Sequence, residues 1–288
     1  MNSLLQFYRA PYNKKRPVFG LIRYCHWKLI RLFKLSNVRY KLWNDRKIML
    51  NYDSFQSMWI MYNYIVDWEE FNLISRYIRP GDDVFDIGAN MGFYTVWMSK
   101  FVGQGRIHSM EPDNTNFKRL TKNIQLNKAE DIVIAHNKAV SDVAGHIYFS
   151  TGLDGENHIL DQGAKEAVVI ESIILDDYAK TFTGNIAYMK IDVEGFEYAV
   201  LNGAKNLLTQ KKIDIIQLEL NESSKHSGKT IDNVVSLLAD HGYHLHLYDV
   251  KKNELFPTIY SPARENYFAV SDTLKINGRL NELKKDPL

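Results

Sequence analysis

Residues 83–93 read Asp83-Val84-Phe85-Asp86-Ile87-Gly88-Ala89-Asn90-Met91-Gly92-Phe93, a short apolar run that ends in a glycine-rich turn. The run predicts a strand over 83–88, and the turn opens a helix over 92–102. Glycine tolerates positive φ and lets a backbone approach a ligand closely. A helix N-terminus adds unpaired N–H groups that can face the same ligand. Nineteen residues beyond Gly92, Glu111 closes a second strand over 106–111. An acid at that place accepts both hydroxyls of a ribose. The stretch therefore predicts an adenosine-containing ligand across the carboxyl ends of the first strands.

Outward from this stretch the periods alternate between strand and helix. Strands are predicted at 131–136, 187–192, 213–220, 243–249 and 266–271, and helices at 68–78, 114–127, 196–209 and 229–241. Short apolar strands alternating with helices imply an α/β fold, a parallel sheet covered on both faces. Only a loop separates the last two strands, so they are expected to pair antiparallel. Residues 38–66 alternate in a way that predicts a hairpin turning at Asn44-Asp45. The boundary between an N-terminal extension, 1–65, and the main domain, 66–288, follows from this pattern.

Composition narrows the class. The chain has 288 residues, 45% apolar and 24% charged, with 16 glycines and 7 prolines, which excludes collagenous and disordered chains. Cys25 is the only cysteine, so a disulfide framework and multi-cysteine metal sites are excluded, and a reducing, cytoplasmic location is expected. No apolar run is long enough to span a membrane, and no secretory leader pattern opens the sequence. The net charge of +2 conceals an asymmetry: residues 1–47 carry 12 Lys and Arg against Asp45 alone, and the remainder is acidic. Within this segment, residues 18–35 place Leu21, Ile22, Cys25, Leu29, Leu32 and Phe33 on one helical arc, with Arg23, Arg31 and Lys34 pointing the other way. A basic amphipathic helix of this kind suits a membrane surface, a packed helix on the main domain, or, less well, nucleic acid.

The spacing of the first turn separates candidate ligands. A pyrophosphate-binding turn is written G-x-G-x-x-G, whereas this one is G-x-N-x-G with Asp86 just before it. An acid there suits a ligand with an amino group and no phosphates, the profile of S-adenosylmethionine. The second signal is Lys190-Ile191-Asp192-Val193-Glu194-Gly195-Phe196-Glu197, at the end of the fourth strand. In a doubly wound sheet the first and fourth strands are neighbours, so Asp192 is expected at the reactive end of the ligand. Glu219 ends the next strand beside it. These acids can take a proton from a hydroxyl, or hold a hard divalent cation such as Mg or Mn through Asp192 with Glu194 or Glu219. Glu197 is expected to do no more than favour a helix N-terminus.

Gly81-Asp82-Asp83 through Tyr94, then Glu111-Pro112, Ala139-Val140-Ser141-Asp142, Leu175-Asp176-Asp177-Tyr178 and Lys190 through Gly195, together resemble the FkbM family of class I methyltransferases. The resemblance covers roughly residues 66–271. It implies a Rossmann-like, mostly parallel seven-stranded sheet with an antiparallel last strand, carrying the basic helical and hairpin extension. It also implies methyl transfer from S-adenosylmethionine to a hydroxyl of a sugar in a polysaccharide, glycolipid or related glycan, or of a polyketide or other small molecule. By position, Asp86, Gly88, Asn90, Gly92, Phe93 and Glu111 would bind the cofactor, and Ser141 and Asp142 would lie near its adenine. A sugar hydroxyl needs a base or a metal to lose its proton; Asp192 and Glu194 are the candidates, with His158 in the polar loop 154–158 a second. An RNA-directed reading fits poorly, because Asp192-Val193-Glu194-Gly195 stands where an Asn/Asp-Pro-Pro-Tyr run is expected. An NAD-dependent oxidoreductase lacks both its glycine fingerprint and a hydride-transfer site here.

Overall fold

The structure, a computed structural model, describes residues 13, 16–42, 44–149, 159–160, 168–181, 184–221 and 228–282. The chain divides into two units, Met1–Trp68 and Glu69–Leu288.

In the first unit Pro17 opens helix α1 (Pro17–Leu32); proline suits a first turn, where its missing N–H has no helical partner anyway. The helix buries Gly20, Arg23, Trp27 and Ile30. Arg23 Nε donates to the carbonyl of Met61 at 3.3 Å, and its guanidinium lies 4.9 Å from the centre of the Tyr64 ring. Arg23, expected on the charged side, thus faces inward, and the arc of Leu21, Ile22, Leu29, Leu32 and Phe33 is exposed. Gly20 and Trp27 supply the close-packing face, and carbonyl acceptors satisfy the buried guanidinium. Strands β1 (Val38–Lys41) and β2 (Lys47–Leu50) form the expected antiparallel hairpin. Its turn is fixed by Asn44 Oδ1, which accepts the Arg46 N–H at 3.1 Å, and by Asp45 at φ 69°. The alternation does not continue to 66: Ser54 accepts the Ser57 N–H at 3.2 Å and caps helix α2 (Phe55–Asn63).

The second unit is entered through α3 (Trp68–Tyr77), whose Phe71 packs on Phe93, Tyr94 and Trp97 at ring separations of 5.1, 4.8 and 4.5 Å. Those three residues belong to α4 (Phe93–Met98), which follows β3 (Asp83–Ile87). Then come β4 (Ile107–Met110), α5 (Asn114–Leu126) and β5 (Val133–His136). The helix expected to reach 102 stops at Met98, because Ser99 Oγ turns back to the carbonyl of Val96 at 2.7 Å and Gly103 takes φ +55°.

Residues 139–149, 159–160 and 168–173 build a second sheet that the periodicity did not announce. Its strands are β6 (Ala139–Val140), β7 (Gly145–Phe149), β8 (Ile159–Leu160) and β9 (Val168–Ile173), in the order β6-β9-β7-β8. The four-residue helix α6 (Leu175–Tyr178) leads back to β10 (Ile186–Ile191).

The helix expected over 196–209 is two, α7 (Glu197–Asn202) and α8 (Lys205–Thr209). Asp176 causes the break. Its N–H takes the Gly203 carbonyl at 2.9 Å, and its carboxylate accepts the N–H groups of Asn206 and Leu207 at 2.9 and 3.0 Å. The carboxylate thus caps α8 from outside the helix. The chain closes with β11 (Ile213–Glu219), α9 (Ile231–Asp240), β12 (His244–Asp249), β13 (Glu254–Pro257), β14 (Asn266–Val270) and α10 (Thr273–Glu282).

The main sheet runs β13-β12-β14-β11-β10-β3-β4-β5. The strands from β11 to β5 are parallel, and β14 is antiparallel to both β11 and β12. The expected seven strands are all present, and the edge strand β13, antiparallel to β12, makes an eighth. Strand β3 lies between β10 and β4, so the turns after β3 and β10 open side by side at the carboxyl end of the sheet.

Below that end, the Tyr178 hydroxyl lies 2.8 Å from His108 Nδ1 and 2.9 Å from His136 Nε2, tying α6 to β4 and β5. Burial pushes His108 down to about 4 and also lowers His136, so both rings are neutral at pH 7. Tyr178→Phe is expected to lower stability by about 1–3 kcal/mol, because two ring nitrogens lose a partner in a largely dry place. Urea unfolding of wild type and variant measures it.

Candidate active site

The turn after β3 is held by the protein itself. Gly88 has φ +79°, and a Cβ there would lie 1.8 Å from the carbonyl oxygen of Asp192. Gly92 has φ +87°, and its Cβ would meet Leu120 Cδ1 at 2.6 Å. A side chain at Gly88 would enter the space of the β10 turn, and one at Gly92 that of α5. Phe93 likewise faces the core at 2% exposure, edge-on to Phe71, and offers no surface to a ligand.

Asn90 adopts φ 51°, a left-handed conformation in which its short amide side chain bonds locally, here to the Met91 N–H at 2.7 Å. This aims the Asn90 N–H at Glu111 Oε2, 2.7 Å away, while Glu111 Oε1 accepts the Asp113 N–H at 2.8 Å. Glu111 is thereby fixed at the end of β4, and each carboxylate oxygen keeps lone-pair capacity for a further donor. Burial pushes its pKa up to about 8, against the pull of the two N–H bonds.

Asp86 is sealed beneath the turn. Its Oδ2 accepts the Thr95 hydroxyl at 2.6 Å, while Oδ1 is buried with no hydrogen-bond partner among the described residues. Burial raises its pKa, opposed by the charge of Lys190. The positive charge nearest this buried acid is that of Lys190.

At the end of β10, Lys190 is 6% exposed. Its Nζ is 2.8 Å from Asp192 Oδ2 and 4.7 Å from the centre of the Tyr94 ring. Burial lowers the lysine pKa, but Asp192, Asp86 and Glu219 outweigh it and the net shift is upward. The ammonium is therefore a fixed cation among three carboxylates. Asp192 remains 31% exposed and is the open member of this group. Glu219, half-buried, is pushed up to about 9 by Asp192, by burial and by Glu194, and Asn221 donates to its Oε1 at 3.0 Å. Below Lys190, Tyr188 donates to Gln217 at 2.6 Å and Gln217 to the Tyr94 hydroxyl at 3.1 Å, which steadies the ring under the ammonium.

The β10 turn takes its shape from Glu194 at φ 48° and Gly195 at φ +97°. Glu197 accepts the Gly195 N–H at 3.1 Å and opens α7, as expected, with burial pushing it up to about 7. Ser141 and Asp142 line a cavity of about 460 Å³ with Phe196, Tyr198, Asn202 and Lys229. Asn202 donates to Asp142 Oδ2 at 2.7 Å, leaving Asp142 fixed on the wall. Two aromatic walls and a fixed acid suit a flat heterocycle with an exocyclic amine.

The structure thus brings Asp86, Asn90, Glu111, Asp192, Glu194 and Glu219 to one end of the sheet, with Ser141 and Asp142 beside α7, the helix that leaves the β10 turn. His158 lies outside the described residues. Lys190 was quoted in its motif but given no role; the signal was a lysine inside an apolar strand, which must be paired if buried. A divalent cation on Asp192 and Glu219 does not fit this arrangement: Lys190 already supplies the countercharge. Among the described residues no three His, Cys, Asp or Glu side chains are grouped to hold a metal.

A family model described as the methyltransferase FkbM domain matches residues 86–245, more than half of the chain. Hexuronic acid methyltransferase AglP of Haloferax volcanii is 24% identical over 190 residues, 65% of this chain and 74% of that protein. Ribosomal protein L11 methyltransferase of Caldicellulosiruptor saccharolyticus is 27% identical over 123 residues, 39% of this chain and 40% of its own length. Among solved structures, an FkbM methyltransferase from Methylobacillus flagellatus superposes with a TM-score of 0.43 at 14% identity, over 75% of this chain and 53% of that one. The METTL16 methyltransferase domain gives a TM-score of 0.47 at 13% identity, over 91% and 94%.

Glu111→Gln replaces one acceptor oxygen at the end of β4 with an amide NH2, and affinity for S-adenosylhomocysteine is expected to fall by about 10- to 100-fold in calorimetric titration. A second outcome concerns pH. Glu111, Glu197 and Glu219 hold protons in the folded state that the unfolded chain releases near its ordinary value of 4.5. Their contribution to stability is full below that value and is lost as pH rises toward about 9. Melting temperature should fall across this window, and Glu219→Gln should flatten the decline.

Proposed function

The chain belongs to the FkbM methyltransferase family, and from that premise we propose that it moves the methyl group of S-adenosylmethionine to a hydroxyl of a sugar, within a polysaccharide, glycolipid or related glycan. The observation that carries this reading is the pairing of Asp192 with the buried Lys190. The acid stands at the carboxyl end of β10 with one oxygen engaged and part of its surface open. The relative named a hexuronic acid methyltransferase supports a sugar acceptor.

S-adenosylmethionine, when bound, supplies a methyl group already activated by its sulfonium. The chain's own work is positioning and the removal of one proton. Glu111 would hold the ribose, and the cavity beside Ser141 and Asp142 would take the adenine. Together they fix the donor's distance and direction relative to Asp192, and in-line geometry of this kind accounts for much of the rate. A sugar hydroxyl is a weak nucleophile at neutral pH and needs a base. Asp192 is the base in this reading: Lys190 fixes Oδ2, so Oδ1 is the oxygen that takes the hydroxyl proton. Glu219, protonated at neutral pH, adds no second negative charge beside the Lys190–Asp192 pair. No metal step is required.

The test is transfer of labelled methyl from S-adenosylmethionine to a panel of neutral and uronic sugars. Asp192→Asn should lower kcat by about 10²- to 10⁴-fold while S-adenosylhomocysteine affinity stays near wild type. The product on the sugar should survive mild alkali, as an ether does. An alkali-labile product would be an ester on a uronic carboxylate, which needs no base, and would overturn both the hydroxyl acceptor and the role of Asp192.

A further inference from the structure

Helix α1 carries two faces of opposite fate. At about 100° per residue, Gly20, Arg23, Trp27 and Ile30 form the buried face. Val18, Leu21, Ile22, Cys25, Leu29 and Leu32 form a second stripe centred on the opposite side. That stripe is open: Val18 is 68% exposed, Ile22 58%, Leu29 52% and Leu32 72%, and Phe33, one residue beyond the helix, is 64% exposed. A contiguous apolar stripe of this size marks a contact surface, since isolated surface apolar residues do not line up along a helix.

We propose that this stripe docks the protein on an anionic lipid bilayer, with α1 lying in the plane of the interface. Charge selects the occupant. No Asp or Glu precedes Asp45, and Lys28 borders the stripe, with Arg31 beyond it on the same side. Lys28 and Arg31 sit on one edge, where a lipid headgroup would meet them once the leucines enter the acyl boundary. A second copy of the chain would bring the same basic segment against itself, at a Coulomb cost. A nucleic acid would engage the basic edge and leave the apolar centre in water. No described helix is long and apolar enough to cross a membrane, so the contact is with one surface only. The surface is independent of which acceptor is methylated, and its test does not read methyl transfer.

Cys25 is the chain's one cysteine, and it is exposed in the middle of the stripe, so the full-length protein takes a single environment-sensitive fluorophore at the contact itself. The labelled protein is mixed with vesicles of phosphatidylglycerol and phosphatidylcholine in equal parts, or of phosphatidylcholine alone. Co-sedimentation of unlabelled protein gives an independent partition coefficient. The expected result is blue-shifted emission and sedimentation with the anionic vesicles, weaker binding to neutral ones, and weakening by salt. Leu29→Glu and Leu32→Glu should each reduce partition at least about tenfold. Both side chains are exposed, so the melting temperature and S-adenosylhomocysteine affinity should not change. Absence of sedimentation with anionic vesicles overturns the proposal. So does a dimer in light scattering that Leu32→Glu dissolves, or RNA binding that the two glutamates leave intact while no vesicle is bound.

Discussion

A lysine ammonium buried at the end of β10 is the constraint on which the site depends. Removing such a charge from water costs several kcal/mol unless opposite charges surround it. Lys190 meets this condition through Asp192 just beyond its own strand and Asp86 on β3, with the carboxyl group of Glu219 on β11 close by. The sheet register makes the meeting possible, since Lys190 is paired directly with Asp86 on one side and with Gln217 on the other. Register partners in a sheet point to the same face, so the lysine, the acid and the amide share one. A slip of one residue would put Met189 or Ile191 among the acids and Lys190 into the opposite core. The register of the central strands and the electrostatics of the site are therefore one requirement.

The elements read best from sequence are those whose local pattern and final environment agree. The strands β3, β4, β10 and β11 are buried on both faces, and their apolar runs say so. Their ends bear the acids, and the turn residues mark the ends, so Glu111, Asp192 and Glu219 were placeable without coordinates. The elements read poorly are those decided by a distant partner. Nothing local in residues 196–209 shows that the Gly203 carbonyl will be taken by Asp176, which divides that stretch into α7 and α8. Nor does the alternation around 139–149, 159–160 and 168–173 show that these residues pair with each other in a separate sheet, because an exposed strand carries a mixed sequence. Helix α1 is the clearest case. Its sequence has two apolar stripes, and hydropathy alone does not say which of them faces inward. Arg23 is carried inward because a carbonyl and an aromatic ring await it, which no periodicity records.

The glycines of the first turn teach a related point. A glycine-rich turn after a strand is ordinarily read as space for a ligand. Here Gly88 and Gly92 are glycine because the Asp192 carbonyl and Leu120 occupy the space where a Cβ would stand. The ligand is still served, but indirectly. Packing Gly88 on the β10 turn brings Asp192 to the end of β3, and Gly92 sets the start of α4, which carries Thr95 to Asp86 and Tyr94 to Lys190. Asn90, the non-glycine residue at positive φ, is the one whose N–H reaches the functional acid.

The acids of the site share a sheet end and differ only in surroundings, and the differences assign their work. Glu111 receives two backbone N–H groups, which fix its orientation without taking all its acceptor capacity; that suits a group that must grip two hydroxyls. Glu219 faces Asp192 and Glu194, so it keeps its proton at neutral pH and adds bulk and a donor, not charge. Asp86 is buried and acts at a distance, through its field on Lys190. Asp192 alone combines a fixed cation at one oxygen with exposure at the other. A base needs an anion that is oriented and reachable, and among these four residues only Asp192 meets both conditions. The lysine that holds Asp192 in place also draws Asp86 and Glu219 about itself, so a single buried cation gathers acids from three neighbouring strand ends.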